Sequence, residues 1–404
     1  MCNENAFVVH SDGRIYLLER KDPKSIISQH LIEFADLVKA PEPIYTFELS
    51  PYALWAAAAK EIDSQEIIDF ISLHSKNLIS EGLKSRIRKE IVDFGTIKLS
   101  LEYGGLVLEA RAVESIEKIY KHKKFKDLNL LNRLDNKTLL FPLTDRINLK
   151  KILFDLDLFA IDTCNRLGEP LNISIRPFDS EGRQIIFRDY QKEAINSYIK
   201  YSPTIGGDQG GGGVIIMPPG SGKTLVGLGI IERLKSSCLI FVQNEASAER
   251  WQHEIGDKTD LDEDSLLIYS GTESELRPIT ICTYSRLSKS QAVLSALRTE
   301  RWGLIIYDDA HKLMAPKSVV AIDIDSQYKL ALASTLARAD QTGNQVFALI
   351  GPKWYEVLPR TLENQGYLVP VTCIEVKVPL DPVSEERYRT EPDKNKSRQL
   401  AAVN

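Results

Sequence analysis

Two kinds of apolar pattern divide the chain. From residue 214 onward, short unbroken apolar runs alternate with helical segments, while hairpins and amphipathic helices dominate before that point. Residues 6–18, AFVVHSDGRIYLL, carry apolar runs on both sides of Asp12-Gly13, which predicts a hairpin turning there. Residues 24–39 predict a helix stopped before Pro41. In SPYALWAAAAKEI, Ser50 reads as an N-cap, Pro51 fills the first helical position, and the alanine run favours helix. A second helix starts at Asp63 or Ser64 and runs through Ile67, Ile68 and Ile71, and residues 80–93 predict a third. Residues 96–110 predict two strands around Tyr103-Gly104-Gly105. Helices followed by a hairpin have a winged-helix-like order. Docking of nucleic acid or protein and a purely structural role are both open for this part.

Residues 111–185 are mixed. The run from Tyr120 to Lys126 interleaves basic and aromatic side chains, which either touch phosphates or form a solvated helix face. An amphipathic helix is predicted over 188–200. The segment Ser202–Gly213, SPTIGGDQGGGG, is expected to be a loop or tether, because so much glycine weakens both a helix and a central strand. Beyond it, apolar strands are predicted at Val214–Met217, from residue 238, around 264–271 and 278–284, from 303, and from 329. Strand–helix units with polar residues at the strand ends describe an α/β fold with a parallel sheet and ligands at its carboxyl ends.

Composition narrows the class. Of 404 residues, 43% are hydrophobic and 26% charged, enough for ordinary soluble cores. No apolar run reaches the roughly eighteen residues of a membrane span, and the N-terminus lacks the pattern of a secretion signal. The five cysteines are scattered singly, without CxxC or HExxH spacing, so a reduced, cytoplasmic protein without structural zinc is expected. The net charge of −5 argues against a uniformly basic DNA-coating protein, but 51 Lys and Arg leave room for one basic track.

The sharpest chemistry lies in VIIMPPGSGKTLVGLGIIERL. A strand runs into Gly220-Ser221-Gly222, and Lys223-Thr224 opens a helix. Glycines let the backbone curl its N–H groups toward phosphates. The helix N-terminus adds positive potential, Lys223 reaches the outer phosphates, and Thr224 offers a hydroxyl to Mg2+. Met217 stands where the strict motif has its first glycine. GLIIYDDAHKL is an apolar strand ending in carboxylates. Asp308 is placed to hold Mg2+, Asp309 to orient or deprotonate a water, and His311 to link the segment to a neighbouring domain or DNA path. Ser334 and Thr335 end another short strand.

RDYQKEAI, PPGSGKTLVG, ERWQHEI, ICTYSRL, WGLIIYDDAHKL, LASTLARAD and IGPKWYEV follow one another in order. Together with YTFELSPYALWAAAAKEI and FGTIKLSLEYGGLVLEA, they make nearly the whole chain resemble the XPB family of superfamily 2 DNA helicases, especially its bacterial members. The resemblance implies a RecA-like P-loop lobe preceded by an α+β region with a winged-helix-like part. It also implies ATP and Mg2+ as cofactors, duplex or forked DNA as partner, and 3′-to-5′ translocation in DNA repair. A nuclease or other repair protein would dock on the N-terminal region, and in a bacterium the protein would be nucleoid-associated. Gln191 would read adenine, and Arg338 and Asp340 would match two positions of an Arg-Glu-Asp element linked with duplex melting. The expected division is a hairpin and helix over 1–45, a winged-helix-like domain over 46–110, a damage-recognition-like region over 111–185, the RecA-like lobe over 186–380, and a linker to a second lobe over 381–404.

Three residues depart from the family pattern. Asp309 replaces a glutamate and is one methylene shorter, Ala333 replaces a threonine, and Ala339 replaces the central glutamate of the Arg-Glu-Asp element. A displacement of about 1 Å at a reacting group costs about a hundredfold in rate. The competing expectation is therefore a degenerate or truncated, non-catalytic nucleotide- or DNA-binding module that docks a repair partner.

Overall fold

The computed structural model describes residues 6–18, 22, 24–40, 43–206, 210–273, 275–315, 318–336, 342–370 and 386. Residues 1–368 form one unit and 369–404 another. Arg338 and Asp340 lie outside the described residues.

The first layer of the larger unit is an antiparallel sheet ordered β1-β2-β4-β3. Its strands are β1 (Phe7–Val9), β2 (Arg14–Leu18), β3 (Asp36–Lys39) and β4 (Ile44–Glu48). β1 and β2 form the hairpin expected around Asp12-Gly13. The helix expected over 24–39 is confined to α1 (Ile26–Leu31). Asp22 caps it by accepting from the Ile27 and Ser28 amides at 3.0 and 2.7 Å. Residues 36–39 pair with β4 instead of continuing the helix. Strand pairing over a buried face overrides local helix preference here.

Helices α2 (Pro51–Ala59), α3 (Ser64–His74) and α4 (Glu81–Val92) pack against this sheet around Phe47, Leu54, Ile71 and Ile87. Ser50 caps α2 by accepting from the Ala53 amide at 3.0 Å, and Ser80 caps α4 through the Leu83 amide at 3.3 Å. The following hairpin, β5 (Ile97–Glu102) and β6 (Gly105–Ala110), turns at Tyr103-Gly104 as expected. It enters a second sheet rather than joining the first. That sheet adds β7 (Asn132–Arg133), β8 (Thr138–Phe141) and β9 (Ala160–Asp162) in the order β7-β8-β6-β5-β9. It shares its own core with α5 (Val113–Lys121) and α6 (Arg146–Asp155).

The third layer is a seven-stranded sheet ordered β12-β13-β11-β14-β15-β10-β16 in which every pairing is parallel. In chain order its elements are α7 (Asp189–Gly206), β10 (Gly211–Ile216), α8 (Lys223–Leu234), β11 (Cys238–Val242), α9 (Glu245–Lys258), β12 (Leu266–Ile268), β13 (Ile279–Thr283), α10 (Tyr284–Lys289), α11 (Gln291–Thr299), β14 (Trp302–Tyr307), β15 (Ser326–Ala333), α12 (Thr342–Leu349), β16 (Lys353–Glu356) and α13 (Pro359–Asn364). Both faces are covered, so the strands read as unbroken apolar runs. Leu304 and Ile306 enter the core on one face, and Ile305 and Tyr307 enter the core on the other. This is the α/β, RecA-like architecture expected from the strand–helix order.

The glycine-rich segment departs from expectation. Helix α7 continues through Ser202 and Pro203, and Gly211–Gly213 form the start of interior strand β10. Glycine is needed there for close approach. A Cβ on Gly213 would lie 1.9 Å from the Trp354 indole nitrogen, and one on Gly212 would lie 2.2 Å from the Ile350 carbonyl oxygen. The indole N–H instead donates to the Gly212 carbonyl at 2.9 Å.

The layers are joined by buried charge. Lys353 on edge strand β16 donates to the Ala35 carbonyl at 3.1 Å and pairs with Asp36 at 3.3 Å and Glu356 at 2.8 Å. Gln29 of α1 donates to the Glu356 carbonyl at 2.9 Å. Arg146 and Lys150 of α6 pair with Asp162 at 3.0 and 2.9 Å, Arg146 reaches Asp325 at 3.3 Å, and Lys150 donates to the Leu349 carbonyl at 3.0 Å. Among the described residues, no helix is long and apolar enough to cross a membrane.

Candidate nucleotide site

The turn from β10 into α8 lies at the carboxyl end of the parallel sheet. Gly220 and Gly222 take φ of 77° and 81°, the left-handed region that glycine enters without strain. A Cβ at Gly222 would sit 2.5 Å from the Gln191 side-chain nitrogen. Ser221 is buried, and its hydroxyl donates to the Pro218 carbonyl at 2.7 Å, which closes the turn. Gly222 precedes α8 and offers no side-chain cap, so the amides of the first turn point toward the loop with the helix dipole behind them. Thr224 is half-buried in that turn.

Lys223 folds back over the loop. Its ammonium donates to the Met217 and Pro218 carbonyls at 3.1 and 3.3 Å and to the Ser334 hydroxyl at 3.0 Å. Burial lowers its pKa, and the nearby Asp308 and Asp309 oppose that shift. Ser334 reaches the lysine because β15 lies beside β10, with the Met217 amide donating to the Ala333 carbonyl at 2.9 Å.

Asp308 continues β14 by donating its amide to the Phe241 carbonyl at 2.9 Å. Its own carbonyl accepts from the Tyr284 hydroxyl at 3.0 Å. Its side chain is buried, with Oδ1 accepting from the Asp309 amide at 3.0 Å and Oδ2 from the Trp251 indole N–H at 2.8 Å. Arg250 stands 3.7 Å from the same Oδ2. Burial raises the Asp308 pKa, and the Trp251 hydrogen bond works against the rise. Asp309 turns sharply, with φ 51° and ψ 48°, to start a short 3-10 helix over Ala310–Lys312 that contains His311.

Gln191 is buried behind the loop. It donates to the Ser221 carbonyl at 2.9 Å and accepts from the Arg188 amide at 2.9 Å. Tyr190 donates to the same Ser221 carbonyl at 2.8 Å, and Arg188 lies 5.0 Å from the Tyr367 ring centre. Lys223, Ser334, Asp308 and Asp309 therefore gather at the carboxyl ends of β10, β15 and β14, with Gln191 bracing the loop from behind. Arg188, Tyr190, Trp251, Tyr284 and Tyr367 were not singled out by sequence. Arg188, Tyr190, Trp251 and Tyr284 stand inside RDYQ, ERWQHEI and ICTYSRL, which is the signal that was available.

The donor set fits a nucleoside triphosphate with a hard divalent cation. Curled glycines face a helix N-terminus, a lysine reaches over them, and an oxygen ligand sits opposite. The basic run is a different case. Lys124 pairs with Asp155 at 2.8 Å, Lys121 with Glu117 at 3.7 Å, and Tyr120 packs on Phe125. Part of that charge is thus neutralised within the fold.

Residues 184–338 match the family model described as type III restriction enzyme, res subunit, and residues 7–134 match one described as helicase conserved C-terminal domain. A DNA 3′-5′ helicase XPB of Kineococcus radiotolerans is 33% identical over 402 residues, covering 98% of this chain and 69% of that protein. A DNA 3′-5′ helicase XPB of Mycobacterium tuberculosis is 30% identical over 406 residues, covering 99% of this chain and 71% of that protein. The XPB helicase/translocase subunit of the general transcription and DNA repair factor IIH of Encephalitozoon cuniculi is 26% identical, covering 98% of this chain and 59% of that protein. With the phosphate-loop geometry and this span of similarity together, the chain belongs to the XPB family of superfamily 2 DNA helicases, which it matches through its N-terminal region and first RecA-like lobe.

Proposed function

We propose that this chain carries the N-terminal region and first motor lobe of an ATP-driven 3′-to-5′ DNA helicase or translocase acting in DNA repair. The observation that carries the reading is the gathering of Lys223, Ser334, Asp308 and Asp309 around one glycine turn. Gly220, Ser221 and Gly222 cradle the phosphates through backbone amides, while Lys223 leaves its loop carbonyls to neutralise the outer phosphates. Thr224 and Asp308 hold Mg2+, and Asp309 orients the attacking water and accepts its proton. Bound ATP supplies the phosphoanhydride whose cleavage drives the motor. Gln191 reads adenine with the amide hydrogen and lone pair left over from its bonds to Ser221 and Arg188. Ser334 shares a hydrogen bond with Lys223, so it registers whether the lysine is engaged, and Thr335, His311, Arg338 and Asp340 relay that state toward DNA. The N-terminal layers dock DNA or a repair partner such as a nuclease, in the cytoplasm.

A second reading is a nucleotide-binding module without turnover. It is favoured by Asp309 and Ala333, which stand where longer or hydroxyl-bearing residues belong in the resembled pattern. ATP turnover of the intact gene product, measured with and without forked DNA, separates the two. DNA-stimulated hydrolysis that disappears in Lys223→Ala supports the motor. Nucleotide binding without hydrolysis, with or without DNA, supports the module and sinks the motor reading.

A further inference from the structure

Helix α9 contributes an aromatic residue to the cation side of the site. Trp251 is fully buried, and its indole N–H donates to Asp308 Oδ2 at 2.8 Å. The far edge of the ring lies against Gly227 of α8, where a Cβ would come within 2.6 Å of the ring carbon Cη2. Gly227 follows Thr224 by three residues, so the two share one face of α8. The indole therefore spans the helix face below Thr224 and the carboxylate of Asp308.

The choice of donor matters. The second carboxylate oxygen, Oδ1, is held by the Asp309 amide at 3.0 Å. With one donor on each oxygen the carboxylate plane is fixed, yet lone pairs remain on both. Both donors are neutral, so the side chain keeps its negative charge for a cation. A lysine or arginine at the same distance would compete for that charge. Arg250, the nearest cation on α9, is half in solvent and stands farther off, at 3.7 Å.

We infer that Trp251 is a positioning residue for Mg2+: through its indole N–H it sets the orientation of Asp308 and the spacing between Asp308 and Thr224. The inference rests on the nucleotide-site reading above. Outer-sphere partners of this kind alter metal affinity by about 10–100-fold when removed.

The test titrates magnesium chloride against the full 404-residue chain bound to a fluorescent N-methylanthraniloyl ATP. Trp251→Phe removes the N–H together with the ring edge that meets Gly227, so affinity in EDTA reports the packing loss and the difference made by Mg2+ reports the N–H. The substitution should raise the Mg2+ concentration for half-maximal effect about tenfold, while affinity measured in EDTA stays within about twofold of the unsubstituted chain. In an Asp308→Ala background, Trp251→Phe should add no further shift. Equal losses in Mg2+ and EDTA, or a full shift persisting without Asp308, would mean that Trp251 only packs, and would overturn the inference. Binding that requires Lys223 but shows the same Mg2+ dependence in Trp251→Phe overturns the Trp251 role alone. Absence of nucleotide binding by the unsubstituted chain overturns the nucleotide-site reading and this inference with it.

Discussion

At Asp309 two demands fall on one side chain. The backbone is left-handed, with φ 51°, and the carboxylate lies beside Lys223 at the mouth of the site. Aspartate enters that conformation more readily than most residues because its short side chain bonds locally, whereas longer side chains there cost about 1 kcal/mol. Asp309→Glu should thus melt slightly lower than the unsubstituted chain, while its added methylene extends the carboxylate and raises ATP turnover by about tenfold or more. Calorimetry and a steady-state phosphate-release assay measure the two effects separately, and a fall in turnover would mean that reach is not what limits Asp309. Lys329 of β15 gives a pH signature at the same scale. Burial, with Arg146 and Lys150 nearby, lowers its pKa to about 7. The unfolded chain holds that proton up to about pH 10.4, so unfolding takes up a proton between those two values. Stability contributed at this position therefore rises with pH from about 7 to about 10. Lys329→Met should stabilise the protein most at pH 6, and the gain should shrink as pH approaches 10. A gain in melting temperature that is flat across that range would refute the assignment.

Among the elements, β10 shows most plainly what sequence conveys and what it conceals. The cap at Ser50, both hairpin turns, the glycine turn into α8 and the carboxylate-ended strand were legible, because each is written in neighbouring residues. The glycine run was misread, because its cause is distant: Trp354 and the Ile350 carbonyl occupy the space that side chains on β10 would need. The helix expected over 24–39 failed for a related reason, since pairing with β4 decides the fate of residues 36–39. The glycine turn and its lysine were likewise visible, whereas the indole on Asp308 required the fold to bring the Trp251 side chain of α9 to the end of β14. Gly213→Ala should destabilise by about 3 kcal/mol, in the range of overpacked cores. Adding Trp354→Leu should recover part of that loss, and denaturant midpoints of the two variants provide the measurement. Ser50→Ala should cost about 1 kcal/mol through loss of the α2 cap.

Across the whole larger unit, ion pairs hold the N-terminal layers to the seven-stranded sheet. Burial works against the charge on Lys353, but Glu356 and Asp36 outweigh it and hold its pKa up. Removing that lysine leaves two carboxylates facing each other with little solvent. Lys353→Ala should therefore cost about 3 kcal/mol or more. Its unfolding curve should split into two steps if the N-terminal layer is released first, and a single unshifted transition would show that the pair is not a joint. Asp162 works in the opposite sense. Burial would raise its carboxyl, but Arg146 and Lys150 hold it far below the usual range. Its contribution is present above about pH 4 and is lost as pH falls further. The same joint at Lys353 bears on how the gene can be divided. Gln29, Ala35 and Asp36 occupy the rim of β16, an edge strand of the seven-stranded sheet. A fragment beginning at α7 would leave that rim bare, as a template for the same rim on another copy. Such a fragment is expected to precipitate from self-pairing with its chemistry intact, and residues 6–95 supplied as a separate polypeptide should return it to solution.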